Sequence, residues 1–135
     1  IPLHKGAIGH SDADVLLHAI CDALLGALSL GDIGKHFPNT DIKYKGIDSK
    51  ILLKETFTLI KEKGYEVVNV DSTICLQEPK ISAYVEAMQS VIASILQINT
   101  DAVSIKATTT ENLGFVGRQE GIMAYATALL VKSVQ

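Results

Sequence analysis

The chain contains no tryptophan, and aromatic residues make up only 5% of it. That argues against a carbohydrate or peptide platform built on ring stacking. It has two cysteines, Cys21 and Cys75, and no CxxC. Both lie inside apparent secondary structure, so they read as reduced core thiols of a cytosolic protein. Basic residues are not in excess: 12 Lys and Arg stand against 15 Asp and Glu, for a net charge of −3. Nucleic acid is therefore not expected as the main partner, because phosphate-backbone binding needs clustered Lys and Arg. Nor is there an unbroken apolar run: the longest, residues 15–30, is interrupted by His18 and Asp22, so no membrane span is expected. No signal or transit segment is visible. The chain begins at Ile1 without Met, so a native N-terminal segment is expected to be missing. The bacterial cytoplasm is expected ahead of a plastid stroma.

What is present is a composition 47% hydrophobic and 20% charged over 135 residues, which suits one folded domain, residues 1–135, with a proper core. Residues 1–11 read as an extended lead-in with Gly6 and Gly9 as turn points. A first helix is expected over residues 12–30, capped by Ser11 or Asp12 and ended by Gly31. Its apolar residues almost encircle it, so it should be deeply buried. Residues 31–46, rich in Gly, Pro, Asn and Asp, read as a long loop, and such loops in small domains are usually functional. Asp48 caps a second helix over residues 49–63, stopped by Gly64, with Lys50, Lys54, Lys61 and Lys63 on a solvated face. Residues 65–76 alternate as a strand, with Val68, Val70, Ser72, Ile74 and Leu76 on one side and Val67, Asn69, Asp71, Thr73 and Cys75 on the other. A third helix runs from Pro79 to about Gln97, and strands follow at residues 103–109 and 121–132. The order predicts an α+β fold with helices covering one face of a sheet.

The densest chemistry lies in residues 10–22, HSDADVLLHAICD, where Asp14, His18 and Asp22 fall at i, i+4 and i+8 on one helix face. An imidazole between two carboxylates suits a metal ligand with supporting groups. Most helical His and Asp are structural, however, so a polar stripe on an amphipathic helix is the first expectation from this stretch alone. Four further clusters sit at element ends. His10 and Ser11 precede the expected helix N-terminus, which favours an anion such as phosphate, although Asp12 and Asp14 would repel it unless a cation intervenes. Asp32, Ile33 and Gly34, followed by Phe37, Pro38, Asn39, Thr40 and Asp41, can bind substrate hydroxyls or form a solvated loop with local side-chain bonds. Leu76, Gln77, Glu78, Pro79, Lys80, Ile81 and Ser82 make a strand-to-helix turn able to read a base edge or bind phosphate. Thr108, Thr109, Thr110 and Glu111 suit a hard cation bridging phosphates, and beyond Phe115, Arg118 can clamp a diphosphate. Simple β-propensity is the competing explanation for the three threonines.

Taken in order, AIGHSDADVLLHAICDALLGALSLGDIGKHFPNTD, LQEPKIS and KATTTENLGFVGRQEG resemble the 2-C-methyl-D-erythritol 2,4-cyclodiphosphate synthases of the non-mevalonate isoprenoid pathway, over essentially the whole chain. The resemblance implies a mixed β-sheet covered by helices on one face, sheets facing inward in a homotrimer, and active sites between subunits. It implies a lyase-type reaction in which the 2-phosphate of 4-diphosphocytidyl-2-C-methyl-D-erythritol 2-phosphate attacks the β-phosphorus and releases CMP. It makes His18 a zinc ligand and Glu111 a ligand of Mg²⁺ or Mn²⁺, with His10 and Thr109 stabilising the transition state. His10, Ser11, Thr108 and Thr109 match phosphate-positioning residues. Asp32 and Gly34 match the groups that hold the methylerythritol hydroxyls, with Phe37 to Asp41 also on the substrate. Residues 76–82 match the cytidine pocket, and Phe115 and Arg118 match positions near the substrate and the central channel.

The departure is at the start. The family's other two zinc ligands form an Asp-x-His motif, which occurs nowhere in this chain, so the chain as it stands is expected to bind zinc weakly or not at all. Asn39 stands where some relatives carry an acidic residue. Two rival readings share the same residues: a non-catalytic trimer binding an isoprenoid diphosphate in its channel, and a nucleotide-binding module that uses the LQEPK turn without turnover.

Overall fold

Helix α1 spans Gly6–Ala27 in the computed structural model, which describes residues 6–38, 40–41, 43, 48–76, 84–108, 114 and 122–134, with residues 6–12 in backbone only. Its start corrects the expectation of an extended lead-in. Gly6 and Gly9 do not turn the chain, because once a helix is nucleated each further residue adds a hydrogen bond at small cost. Ser11 and Asp12 are thus interior to the helix and not its cap. The stop is corrected as well. Ser29, at φ 56°, ends α1 in a Schellman arrangement: Leu30 N–H donates to Leu25 O at 2.8 Å and Ser29 N–H to Gly26 O at 3.0 Å. This closes the last carbonyls two residues before Gly31 is reached.

Residues 31–46 are not wholly loop. Asp32 caps a one-turn helix, α2 (Ile33–His36), its carboxylate accepting from Lys35 N–H. Helix α3 (Ser49–Glu62) follows with Asp48 as cap, as the sequence predicts, and Gly64 turns the chain at φ 85°. Lys50, Lys54, Lys61 and Lys63 are exposed. Strand β1 (Tyr65–Cys75), helix α4 (Val85–Leu96), a 3-10 turn (Thr100–Ala102), β2 (Val103–Thr108) and β3 (Met123–Lys132) complete the described order. The expected start of the third helix at Pro79 lies outside the described residues.

The sheet has the order β2-β1-β3. β1 and β2 run parallel, joined through α4, and β3 is antiparallel to β1, so the sheet is mixed. Register sorts the faces. Val70, Ser72 and Ile74 pair with Ala128, Ala126 and Ala124 on the covered side, while Asn69, Asp71 and Thr73 pair with Leu129, Thr127 and Tyr125 on the other. The three alanines leave room for α1 to lie close against β3. The strand contains one irregularity, a shift between Val67 and Asn69. It turns Val67 inward at 6% exposure and Val68 outward at 42%, the reverse of strict alternation, because a bulge resets the two-residue period.

The core gathers Leu16, Ile20 and Leu24 of α1, Leu53 and Ile60 of α3, Val70 and Ile74 of β1, and Leu96 of α4, all at 1% exposure or less. Within it lies the thiol of Cys21, whose pKa burial pushes up to about 12 against a smaller opposing hydrogen bond to Thr56. Thiolate is the reactive form. Iodoacetamide at pH 8 should therefore leave Cys21 unmodified in the folded protein and alkylate it after unfolding, as read by mass spectrometry. Rapid labelling of the native chain would contradict this burial. Cys75 is free and half-buried, so only one of the two cysteines is a fully buried core thiol.

Candidate functional site

α1 carries its polar residues on one stripe because the other faces are taken by the core. Leu16, Leu17, Ile20, Cys21, Leu24 and Leu25 are buried, whereas Asp14 and Asp22 are exposed and His18 is half-buried. The three stripe residues do not act as one cluster. Ser49, buried at the first turn of α3, donates its hydroxyl to Asp14 Oδ1 at 2.8 Å and stands 3.0 Å from His18 Nε2. Asp22 points elsewhere: its Oδ1 accepts from Ile33 N–H at 2.9 Å. The helix-face spacing alone does not separate these two roles.

That second bond ties α2 and the segment before it to α1. Asp32 Oδ1 accepts from Lys35 N–H at 3.0 Å, His36 Nε2 meets Leu30 O at 2.7 Å, and Phe37 packs on the core. Farther on, Asp41 N–H donates to Pro38 O and Asp41 Oδ1 accepts from Lys43 N–H at 3.0 Å. Asp32, Gly34, Thr40 and Asp41 are exposed, so a shaped loop presents them to solvent. Alanine at Asp22 should free the Ile33 amide and speed its hydrogen exchange on the order of fivefold, the equivalent of one hydrogen bond of about 1 kcal/mol, with the rest of α1 unchanged. Unaltered exchange at Ile33 would show that the anchor is elsewhere.

A second group forms at the sheet end. Cys75 pairs with Thr108 across the parallel strands, Leu76 N–H donates to Thr108 O at 3.0 Å, and Met123 pairs with Cys75 on the other side. The carboxyl ends of β1 and β2 therefore lie side by side, with the start of β3 next to them. Leu76 and Thr108, the described residues that open the 76–82 and 108–111 blocks, are thus neighbours. Crevices at the carboxyl ends of parallel strands are where open sheets hold ligands.

Asn39, Gln77, Glu78, Pro79, Lys80, Ile81, Ser82, Thr109, Thr110, Glu111, Phe115 and Arg118 lie outside the described residues, as do the side chains of His10 and Ser11. For these last two one correction stands. The unbonded N–H groups of a helix belong to its first four residues, here 6–9, so no helix N-terminus offers an anion site at His10 and Ser11.

Among the described residues no group of three or more His, Cys, Asp and Glu is placed to hold a metal. His18, the residue expected as a zinc ligand, has Nε2 engaged by Ser49 and no second hydrogen bond to the ring among the described residues. Ser49 is the site residue that sequence reasoning missed. Its signal is periodic: it falls on the buried stripe of α3 with Leu52, Leu53, Thr56, Phe57 and Ile60, where a polar side chain requires a partner. An open groove of about 520 Å³ between α3 and α4, bordered by Lys50, Lys54, Ser90 and Ser94, includes none of the sequence-selected residues.

By architecture this is an α+β domain with a mixed three-stranded sheet, the carboxyl ends of its two parallel strands side by side. The chain belongs to the YgbB family, whose family model matches residues 1–131. It is 61% identical over 126 residues, 93% of this chain and 79% of the relative, to the 2-C-methyl-D-erythritol 2,4-cyclodiphosphate synthase of Bacteroides fragilis. To the synthase of that name from Actinobacillus succinogenes it is 60% identical over 133 residues, 98% of this chain and 84% of the relative. Among solved structures, the bifunctional IspDF of Campylobacter jejuni superposes at TM-score 0.83 and 44% identity, covering 93% of this chain and 34% of that longer one. The CDP complex of Plasmodium falciparum IspF superposes at TM-score 0.78 and 34% identity, covering 89% and 72%.

Proposed function

We propose that this chain is a 2-C-methyl-D-erythritol 2,4-cyclodiphosphate synthase, closing 4-diphosphocytidyl-2-C-methyl-D-erythritol 2-phosphate to the cyclic diphosphate with release of CMP. The observation that carries the reading is the side-by-side placement of Leu76 and Thr108, which brings together the first residues of the blocks that match the cytidine pocket and the phosphate-binding threonines. The names of relatives at about 60% identity and the CDP bound by the P. falciparum relative support it. They favour catalysis over a non-catalytic diphosphate-binding role.

In the reaction, an oxygen of the 2-phosphate forms a bond to the β-phosphorus as the bond from that phosphorus to the bridging oxygen breaks, and CMP departs with that oxygen. Such transfers need alignment and charge neutralisation more than a covalent nucleophile. Residues 76–82 hold the cytidine, Thr108 and Thr109 hold the phosphates, and His10 and Ser11 orient the attacking phosphate. Asp32, already shaped by its bond to Lys35, presents its carboxylate to the methylerythritol hydroxyls. Zn²⁺ at His18 and Mg²⁺ or Mn²⁺ at Glu111 would supply charge neutralisation and alignment of the phosphates. Incubation of a metal-supplied form that also carries the Asp-x-His motif with this substrate should yield CMP and the cyclic product. A folded, metal-loaded protein giving no CMP overturns the reading.

The active form is a homotrimer with its sheets inward and sites between subunits, working in the bacterial cytoplasm. The open sheet face supports the assembly: Tyr125, Leu129 and Val131 are 59%, 58% and 50% exposed on it, a large apolar surface for a lone chain. Beside them Lys106 Nζ donates to Asp71 Oδ2 at 2.8 Å. The hydrogen bond from Lys106 holds the Asp71 carboxyl below its usual range. Among the described residues no helix is long and apolar enough to cross a membrane. Leu129→Asp should convert the trimer to monomer by light scattering, since it puts a charge in the apolar contact. An unchanged trimer would place the contact on another face.

A further inference from the structure

The hydrogen-bond geometry around Ser49 admits one arrangement of protons. A Ser hydroxyl has one proton to give, and an ionised carboxylate can only accept. The 2.8 Å contact with Asp14 Oδ1 therefore uses the Ser49 proton. The 3.0 Å contact with His18 Nε2 is then a hydrogen bond only if Nε2 carries the proton and donates it. In the opposite arrangement, lone pairs of Ser49 and Asp14 would face each other at 2.8 Å. The chain reads His18 Nε2–H to Ser49 Oγ–H to Asp14 carboxylate. Ser49 is 3% exposed and fixed at the first turn of α3, so its hydroxyl is held in place.

We infer that Ser49 is a positioning residue that, relayed to Asp14, holds His18 in the Nε2–H tautomer and so presents Nδ1 as the imidazole's donor atom. The inference rests, for its use in catalysis, on the reading of His18 as a metal ligand. The tautomer itself does not depend on that reading. A neutral imidazole has one lone pair to offer a cation, and the hydrogen bond at the other nitrogen decides which atom bears it. A cation held by His18 would then be offered Nδ1.

The test is long-range ¹⁵N–¹H correlation of the ring nitrogens in the metal-free chain, for the native protein, Ser49→Ala and Ser49→Thr, followed by titration with zinc ion alone. Native His18 should be Nε2–H, Ser49→Ala should show a mixture of tautomers, and Ser49→Thr, which keeps the hydroxyl, should restore the native form. Zinc, binding weakly without the Asp-x-His ligands, should move the Nδ1 resonance only at high concentration, and about tenfold higher concentration should be needed in Ser49→Ala. A native Nδ1–H tautomer, or a tautomer indifferent to Ser49→Ala in a folded variant, overturns the inference. No response to zinc in a protein that shows the expected tautomers and their dependence on Ser49 supports the positioning role and sinks the metal reading alone.

Discussion

Alanine in place of His18 should lower CMP release by at least ~10²-fold, the equivalent of about 2.7 kcal/mol of transition-state stabilisation, while the protein stays folded. The size follows from the role. Loss of a group that merely orients a metal ligand costs about 10–100-fold, and loss of the ligand itself should exceed that. The fold should survive because the ring is half-buried on the polar stripe of α1, away from the packed face formed by Leu16, Ile20 and Leu24. Its hydrogen bond to Ser49 contributes about 1 kcal/mol of a total stability of roughly 5–15 kcal/mol. Paired measurements of circular dichroism and CMP release check it. An unfolded variant would make His18 structural, and an active one would remove the metal from this position.

Leu24→Ala carries the largest expected effect on stability. Leu24 is fully buried on the helix that packs against both β3 and α3. The expected loss is about 3 kcal/mol, from lost transfer energy plus the cavity, with a fall in melting temperature on the order of 10 °C. Lys54→Ala on the exposed face of α3 serves as the comparison and should stay within about 0.5 kcal/mol. Equal effects of the two changes in denaturant titrations would mean that α1 is not the centre of the core.

Much of this molecule was legible from local patterns. The span of α3, its Asp48 cap and its lysine face follow from periodicity and capping chemistry, which act within a few residues. The alternation in residues 65–76 identifies β1, and the motif blocks identify the family and the substrate class. The failures are of two kinds. Ser29 rather than Gly31 ends α1, and α1 starts at Gly6, because helix boundaries balance small local terms that neighbouring packing can tip. Val67 rather than Val68 faces the core because one extra residue in a strand shifts the pattern, and nothing in the residues themselves marks the bulge.

By itself, then, the sequence determined the cores of the long helices and of the strands, which stripe of α1 carries polar chemistry, and which family the chain resembles. Only the tertiary structure decided that Ser49 joins Asp14 to His18 across 35 and 31 positions. It likewise decided that Asp22 serves the loop at Ile33, and that Leu76 meets Thr108 at one sheet end. Periodicity reports the face a side chain occupies. Hydrogen-bond partners distant in sequence are chosen by how whole elements pack, so they appear only when the chain has folded.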